Sequence, residues 1–303
     1  MQAVQDFLKS ITIGEPIKFK GLEIRPIISN NDKSLPYLTL GEAISRGLLI
    51  VGEVSEGGSV PNLLVSNVGD IDILILEGEE LRGAKQNRIV NTSIIVPAKS
   101  EIKVPVSCVE QGRWHYQSRS FSSAENIAFP ELRRRAHRSV KSSLRSHGGF
   151  ESDQGEVWNT IGAKFAVMSM HSESSALGDI VENEDFRVDA ELAVDQVKHQ
   201  PGQIGFLAFI NGGFAGGDIF GSSDLCGRQL RKLLRGYYLD AVDETVSFPK
   251  IGVEDLLKEI ESSTHETFDT IGKGHEGRYE SAKVEGAYKV DGENVTHMTV
   301  FPK

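Results

Sequence analysis

Between residues 48 and 110 the chain is cut into short apolar runs, at 48–54, 62–67, 71–77, 88–96 and 101–110, each bounded by glycine, asparagine, aspartate or proline. Runs this short with that punctuation read as strands, because the bounding residues supply the backbone angles a chain reversal needs. A repeat near ten residues suggests an antiparallel sandwich or barrel-like unit. Residues 17–28 alternate in the same two-residue rhythm. A turn is expected at Asn30-Asn31-Asp32, then a short helix over 39–47 with Thr39 as its N-cap.

Near residue 130 the period changes from two to that of a helix. Residues 116–128 are serine-rich and weakly periodic, which reads as a loop. Pro130 suits a first helical turn, where its missing N–H has no partner to lose, and this helix ends at Gly148-Gly149. A second helix is predicted over 153–170, with Val157, Ile161, Phe165 and Met168 on one face, and a third over 189–198. A hairpin follows, 204–210 and 214–220, joined by Asn211-Gly212-Gly213. Ser222 or Ser223 caps a helix whose face is Leu230, Leu233, Leu234, Tyr237 and Ala241. A helix at 253–262 precedes a last hairpin, 279–290 and 295–301, through Asp291-Gly292. The fold class is therefore α+β: an antiparallel β-sandwich or barrel-like N-terminal unit with a helical and hairpin C-terminal part packed on it. No repeat or long linker forces a cut. Residues 1–303 read as one unit with a β-rich lobe, 1–115, and a helix-rich lobe with hairpins, 116–303.

Composition narrows the functional classes. At 303 residues, 39% hydrophobic and 25% charged, the chain is an ordinary packed globular protein. The apolar runs at 71–76 and 204–210 are far too short to span a bilayer, and the start lacks a basic segment followed by an apolar one, so neither membrane nor secretion is expected. Two cysteines, Cys108 and Cys226, cannot build a disulfide framework, which points to the cytoplasm. A net charge of −10 argues against nucleic-acid binding through the whole surface and leaves room for a local basic patch.

The densest chemistry lies in Glu77-Gly-Glu-Glu-Leu-Arg-Gly-Ala-Lys-Gln-Asn-Arg88, read as a loop between two apolar strands. The later strand ends in Cys108-Val-Glu-Gln-Gly-Arg-Trp-His115. If the strands after Arg88 and before Glu110 pair, their open ends meet. That brings Glu77, Glu79, Lys85, Gln86 and Arg88 near Cys108, Glu110, Arg113 and Trp114. The cluster offers carboxylates for acid–base work, guanidinium groups for an anion and an indole for stacking. A salt-bridged hairpin mouth with Trp114 plugging the core accounts for the same residues equally well. Cys108 shares an apolar strand face with Val104 and Val106, so it reads as a small buried hydrophobe.

A basic segment runs from Arg133 to Arg145. Leu132, Ala136, Val140 and Leu144 form a narrow apolar seam, and the other faces are basic, which suits phosphate, nucleic acid or an acidic partner, although such helices are more often simply solvated. Gly272-Lys-Gly-His-Glu-Gly277 matches GxGxxG literally but lacks the strand–turn–helix setting of a dinucleotide site. The eight histidines show no metal-ligand spacing, so no metal site is assigned, and no cofactor is identified.

Leu76-Glu-Gly-Glu-Glu-Leu-Arg-Gly-Ala-Lys-Gln-Asn-Arg-Ile-Val and Pro105-Val-Ser-Cys-Val-Glu-Gln-Gly-Arg-Trp114 together resemble a prokaryotic domain family. It is named for its association with ADP-ribosylglycohydrolases and rhodanese-phosphatases. Gln154-Gly-Glu-Val-Trp158, the hairpin of residues 205–220 with its Leu-Leu-Arg-Gly-Tyr helix, and a closing strand with Thr296-His297 are similar to that family too. The resemblance covers most of the chain. It implies the company of enzymes that process ADP-ribose or phosphorylated substrates, and it brings no catalytic residues with it.

Three readings follow. In the first, the chain binds or hydrolyses an ADP-ribose-like or other nucleotide ligand: Lys85, Arg88 and Arg113 hold phosphate, Gln86 joins them, Trp114 stacks, and Glu79 or Glu110 is the base. In the second, the same surface serves a non-catalytic protein partner of such enzymes. In the third, the helix at 133–145 binds nucleic acid. Whether the chain is an enzyme stays open at this stage.

Overall fold

A computed structural model describes residues 2–30 and 32–303, so Asn31, in the middle of the expected 30–32 turn, and Met1 lie outside the described residues. Among these there are 8 helices and 18 strands, 30% helix and 35% strand, with antiparallel sheets and a curled half-barrel sheet. The class is α+β. The chain divides into two compact units: one takes the described residues of Met1–Leu35 with Ala190–Thr270 and Gly274–Lys303, the other Pro36–Asp189 with Ile271–Lys273. The lobe boundary expected at 115/116 falls inside the second unit.

The first unit is built on a nine-stranded sheet. Its order is Ile11–Ile13, Leu22–Ser29, Gln203–Ile210, Gly213–Phe220, Asn294–Pro302, Val284–Asp291, His275–Glu280 and Thr264–Phe268, with Ile17–Phe19 also on Leu22–Ser29. The central hairpin turns on Asn211 and Gly212, at φ 49° and 79°. Two consecutive left-handed residues give the turn a twist that matches the strands, which is why Asn-Gly is favoured there. One sheet face buries Ile27, Leu207, Ile219, Tyr288 and Val300 against Val4 and Leu8 of the helix Gln2–Lys9 and Leu256 and Ile260 of the helix Val253–Glu261. The long helix Ser223–Ala241, capped by Ser222, packs on the hairpin, where Tyr237 meets Phe206 edge-on at 5.2 Å.

The second unit carries a six-stranded antiparallel sheet ordered Phe121–Ile127, Glu79–Gly83, Arg88–Val90, Ser100–Cys108, Asn62–Asn67 and Leu49–Glu53. Its two outer strands touch each other, so the sheet curls toward closure, the barrel-like form the short strands predict. A small sheet of Ile94–Val96, Ile73–Ile75 and Leu38–Thr39 includes one parallel pair. The core joins Val51, Val65, Leu81, Val90, Val104 and Phe121. Thr39 caps the helix Leu40–Ser45 in a reciprocal capping box with Glu42. The helices Pro130–His147 and Gln154–Val167 form where helical spacing begins, and Gln154 bonds both backbone groups of Cys108, its Oε1 accepting from the N–H and its Nε2 donating to the carbonyl, each at 2.8 Å.

Several segments depart from the sequence reading. The run 17–28 does not extend the sheet of residues 49–108: Ile17–Phe19 folds back on Leu22–Ser29, which pairs with Gln203–Ile210, a partner nearly two hundred residues away that local alternation cannot name. Residues 116–128 are not all loop, since Phe121–Ile127 is a strand whose register shifts between Ser123 and Ile127, and that irregularity breaks the two-residue rhythm. The stretch read as the loop 77–88 contains the strand Glu79–Gly83, whose Glu79 and Glu80 are fully buried. The run 88–96 is two strands split at Asn91-Thr92-Ser93. The run 279–290 breaks at residues 281–283, Thr264–Phe268 is a further strand, and the third helix spans Glu184–Gln196 after a short one at Leu177–Val181. No helix among the described residues is long and apolar enough to cross a membrane.

Candidate functional site

The strands Arg88–Val90 and Ser100–Cys108 pair antiparallel, with Arg88 opposite Cys108. The two polar clusters at their ends therefore meet, one in the turn after Gly83 and the other in the chain leaving Cys108. Glu110 and Arg113 form a buried two-pronged ion pair, Nε to Oε1 at 2.7 Å and Nη2 to Oε2 at 2.5 Å. Nη1 donates to the carbonyls of Ala84 and His115 at 2.7 and 3.0 Å, while Nη2 also faces the Gly83 carbonyl and Asn87 Oδ1. Arg113 thus has protein acceptors for all five of its N–H groups. Glu110 is as fully engaged, since it also accepts from the Asn87 N–H at 3.0 Å. Burial alone would raise the Glu110 carboxyl. The Arg113 hydrogen bond, the Asn87 N–H, the Arg113 charge and Ser174 outweigh it and hold the group below the usual carboxylate range.

Arg88 is the opposite case. It is 0% exposed, and its Nη1 donates to Gln86 Oε1 at 3.0 Å and faces the Asn87 carbonyl at 3.4 Å, yet Nε and Nη2 have no partner. Those two atoms form the edge that grips an oxyanion side-on, the same edge that Arg113 fills with Glu110. Burial, aided by the charge of Arg113, pulls the Arg88 guanidinium below its ordinary value. The neighbouring Cys108 thiol is pushed up by burial, with the Arg88 charge partly offsetting the rise.

Around Arg88 stand residues that suit a planar anionic molecule. The guanidinium carbon lies 5.6 Å from the Trp114 ring centre, and Lys85 Nζ is 5.5 Å from Trp114 and 5.1 Å from Tyr116. Trp114 and Tyr116 are exposed at 46% and 48%. Lys85 Nζ donates to the Gly57 carbonyl at 2.8 Å, and Glu53 Oε1 accepts from the Lys85 N–H at 3.3 Å. Glu53 Oε2 is buried with no partner. Gly58 sits at the centre: a Cβ there would lie 3.1 Å from Lys85 Cδ, 3.3 Å from Trp114 Cζ2 and 3.5 Å from Glu53 Oε2.

The seven residues singled out from the sequence therefore do not all share one cavity. Glu110 and Arg113 line a polar cleft of about 1000 Å³ with Arg82, Asn87, His115, His171 and Asp179, but Lys85, Gln86, Arg88 and Trp114 do not line it. Glu79 stands apart from both: it is fully buried and its Oε2 accepts from the Leu76 N–H at 2.8 Å. Trp114 is no core plug. Glu53, Tyr116 and Gly58 went unread. The signal for them was present as a carboxylate ending a strand before Ser-Glu-Gly-Gly and a second aromatic two residues after Trp114.

The other motifs resolve differently. On the helix Pro130–His147, Arg133, His137 and Lys141 are buried along with the apolar seam, and Arg134 and Arg135 both pair with Glu131 at 2.7 Å, so the helix is not a uniformly exposed basic face. Gly272-Lys-Gly-His-Glu-Gly277 leads into the strand His275–Glu280 rather than a helix. Among the described residues no cluster of three or more histidine, cysteine, aspartate or glutamate side chains could hold a metal ion.

Comparison with curated proteins and with solved structures finds no significant match. A family model does match, over residues 10–301, which is nearly the whole chain. The chain belongs to the ARG and Rhodanese-Phosphatase-superfamily-associated Protein domain family.

Proposed function

We propose that the chain binds a phosphate-bearing, nucleotide-like small molecule at Arg88, with Lys85 as a second cation and Trp114 stacked on the ligand's ring. The observation that carries this reading is the unpartnered Nε and Nη2 edge of a fully buried arginine beside exposed aromatic rings. Leaving two buried donors of a charged group unpaired is unfavourable, and an arriving oxyanion offsets that penalty with short charge-assisted bonds. Exposed Trp114 and Tyr116 supply faces on which a base can stack. The family's association with enzymes of ADP-ribose and phosphate chemistry agrees in ligand class.

Binding is favoured over hydrolysis. A general base needs a free lone pair and a pKa near the working pH. Glu110 is held ionised, with both oxygens taken, and Glu79 is buried against Leu76. Arg113 is the brace in this reading, because it fixes the carbonyl of Ala84 and that of His115, the residue after Trp114. The exposed rings equally suit contact with a protein partner, and the two uses separate in one assay. A thermal-shift series with ADP-ribose, NAD, AMP and ADP should raise the melting temperature of the wild type, since a ligand bound only to the folded state stabilises it. The Arg88→Met variant should show no shift. A flat response of the wild type to every compound leaves the protein-contact reading.

A further inference from the structure

Two side chains of opposite charge lie in the neighbourhood of Trp114 and leave buried polar atoms without a partner in the protein. Arg88 presents donors at Nε and Nη2, and Glu53 presents an acceptor at Oε2. The two charges influence each other electrostatically but form no ion pair. Around Gly58 the Glu53 carboxylate, the Lys85 stem and the Trp114 indole come together, so Glu53 Oε2 stands beside the side chains that surround Arg88.

A fully ionised oxyanion satisfies only half of this arrangement. Its oxygens accept from the Arg88 edge, but against Glu53 Oε2 they set lone pair against lone pair in a desolvated place. What fits both is a group that accepts on one side and donates on the other. Orthophosphate keeps an O–H through neutral pH. A phosphomonoester keeps one only until its second proton leaves, near pH ~6. Sulfate, phosphodiesters and internal diphosphates carry none.

Resting on the reading of Arg88 as an anion anchor, we propose that Glu53 selects a phosphate group that still carries a proton. The phosphate oxygens accept from Arg88 Nε and Nη2, and the phosphate O–H donates to Glu53 Oε2. The ligand class is then orthophosphate or a terminal phosphomonoester, ahead of sulfate and ahead of the bridging diphosphate of an ADP-ribose-like molecule. The segment Glu56–Gly58 lies beside this place and is tethered by Lys85 Nζ on the Gly57 carbonyl at 2.8 Å and by Tyr116 Oη on the Glu56 carbonyl at 3.4 Å. Releasing Gly57 frees Lys85 to meet the anion as a third donor.

Isothermal titration of the full chain with sodium phosphate and sodium sulfate, at matched ionic strength near neutral pH, tests this directly. The wild type should prefer phosphate by roughly ten- to a hundredfold, the value of one charge-assisted hydrogen bond. Methyl phosphate should weaken as pH rises through about 6, whereas orthophosphate should not. Glu53→Gln, whose amide donates where the carboxylate cannot, should bring sulfate to within about threefold of phosphate. The wild-type comparison needs no variant to fold. Equal binding of the two anions by the wild type, abolished in Arg88→Met, overturns the role of Glu53 and leaves the Arg88 anchor standing. An undiminished phosphate preference in folded Glu53→Gln does the same. Failure of both anions and of every nucleotide to bind overturns both.

Discussion

Glu110→Gln and Arg88→Met should differ sharply in their effect on stability, although both remove a buried charge from the same end of the sheet. Glu110 is 5% exposed and Arg113 7%. Glutamine keeps the shape and one acceptor but removes the charge that the Arg113 guanidinium grips with two bonds. It also turns an N–H of its own toward a donor. Breaking one member of a buried pair costs about 3–5 kcal/mol, and the carbonyls still held by Arg113 place this substitution near ~3. Arg88→Met deletes a guanidinium with two unpaired donors and fills the space with a side chain of similar length. Each buried orphan costs about 1–3 kcal/mol, which offsets the lost Gln86 bond, the Trp114 contact and the attraction to Glu53, so the ligand-free protein should stay within about 1 kcal/mol of the wild type. Urea melts with unchanged m-values would report both numbers. The Glu110 contribution also has a pH signature. Its folded pKa lies below its unfolded one, so its stabilisation is complete above the ordinary carboxylate range and is lost as pH falls through the lower folded value. Glu110→Gln should flatten that acid limb. If Arg88→Met loses as much stability as Glu110→Gln, Arg88 is a structural brace and the argument from its free edge is refuted.

Other perturbations probe the scaffold. Burial pulls Lys289 down to about 8, so between that pH and its ordinary range the unfolded chain binds the extra proton, and stability should rise with pH across that window; chemical melts of Lys289→Met should show a weaker rise than the wild type. Gln154→Ala should cost about 1–3 kcal/mol in a urea melt, because it strands both the N–H and the carbonyl of Cys108 at the end of a buried strand. Gly221→Ala should cost about 1–3 kcal/mol or block folding, read from melting temperature and soluble yield, since its Cβ would run into the Val295 carbonyl.

What the sequence disclosed follows physical locality. Thr39 and Ser222 cap their helices because capping is decided within four residues. The Asn211-Gly212 hairpin is equally local. The meeting of Arg88 with Cys108 was legible because runs that neighbour each other in sequence tend to pair, although the intervening strand Ile94–Val96 joins another sheet rather than continuing a simple hairpin. The pairing of Leu22–Ser29 with Gln203–Ile210 was not, since nothing in either segment identifies its partner. Glu79–Gly83 was hidden by its own function in the fold: charged residues that find buried partners look like loop residues in a hydrophobicity pattern. At the site, residue type predicted cations and an indole, but only coordinates separate Arg113, whose donors are all used, from Arg88, whose best edge is free. That difference decides between brace and anchor.

The central claim is that Trp114 and Arg88 together hold a phosphate-bearing planar ligand. The chain has two tryptophans, Trp114 and Trp158, so a Trp158→Phe background leaves Trp114 as the sole indole reporter. Titrating that protein with AMP while following indole emission should give a saturable change, because a base stacked on the exposed ring alters its surroundings. Adding Arg88→Met should abolish it. A flat titration at millimolar AMP, or a saturable change that survives Arg88→Met, would contradict the account.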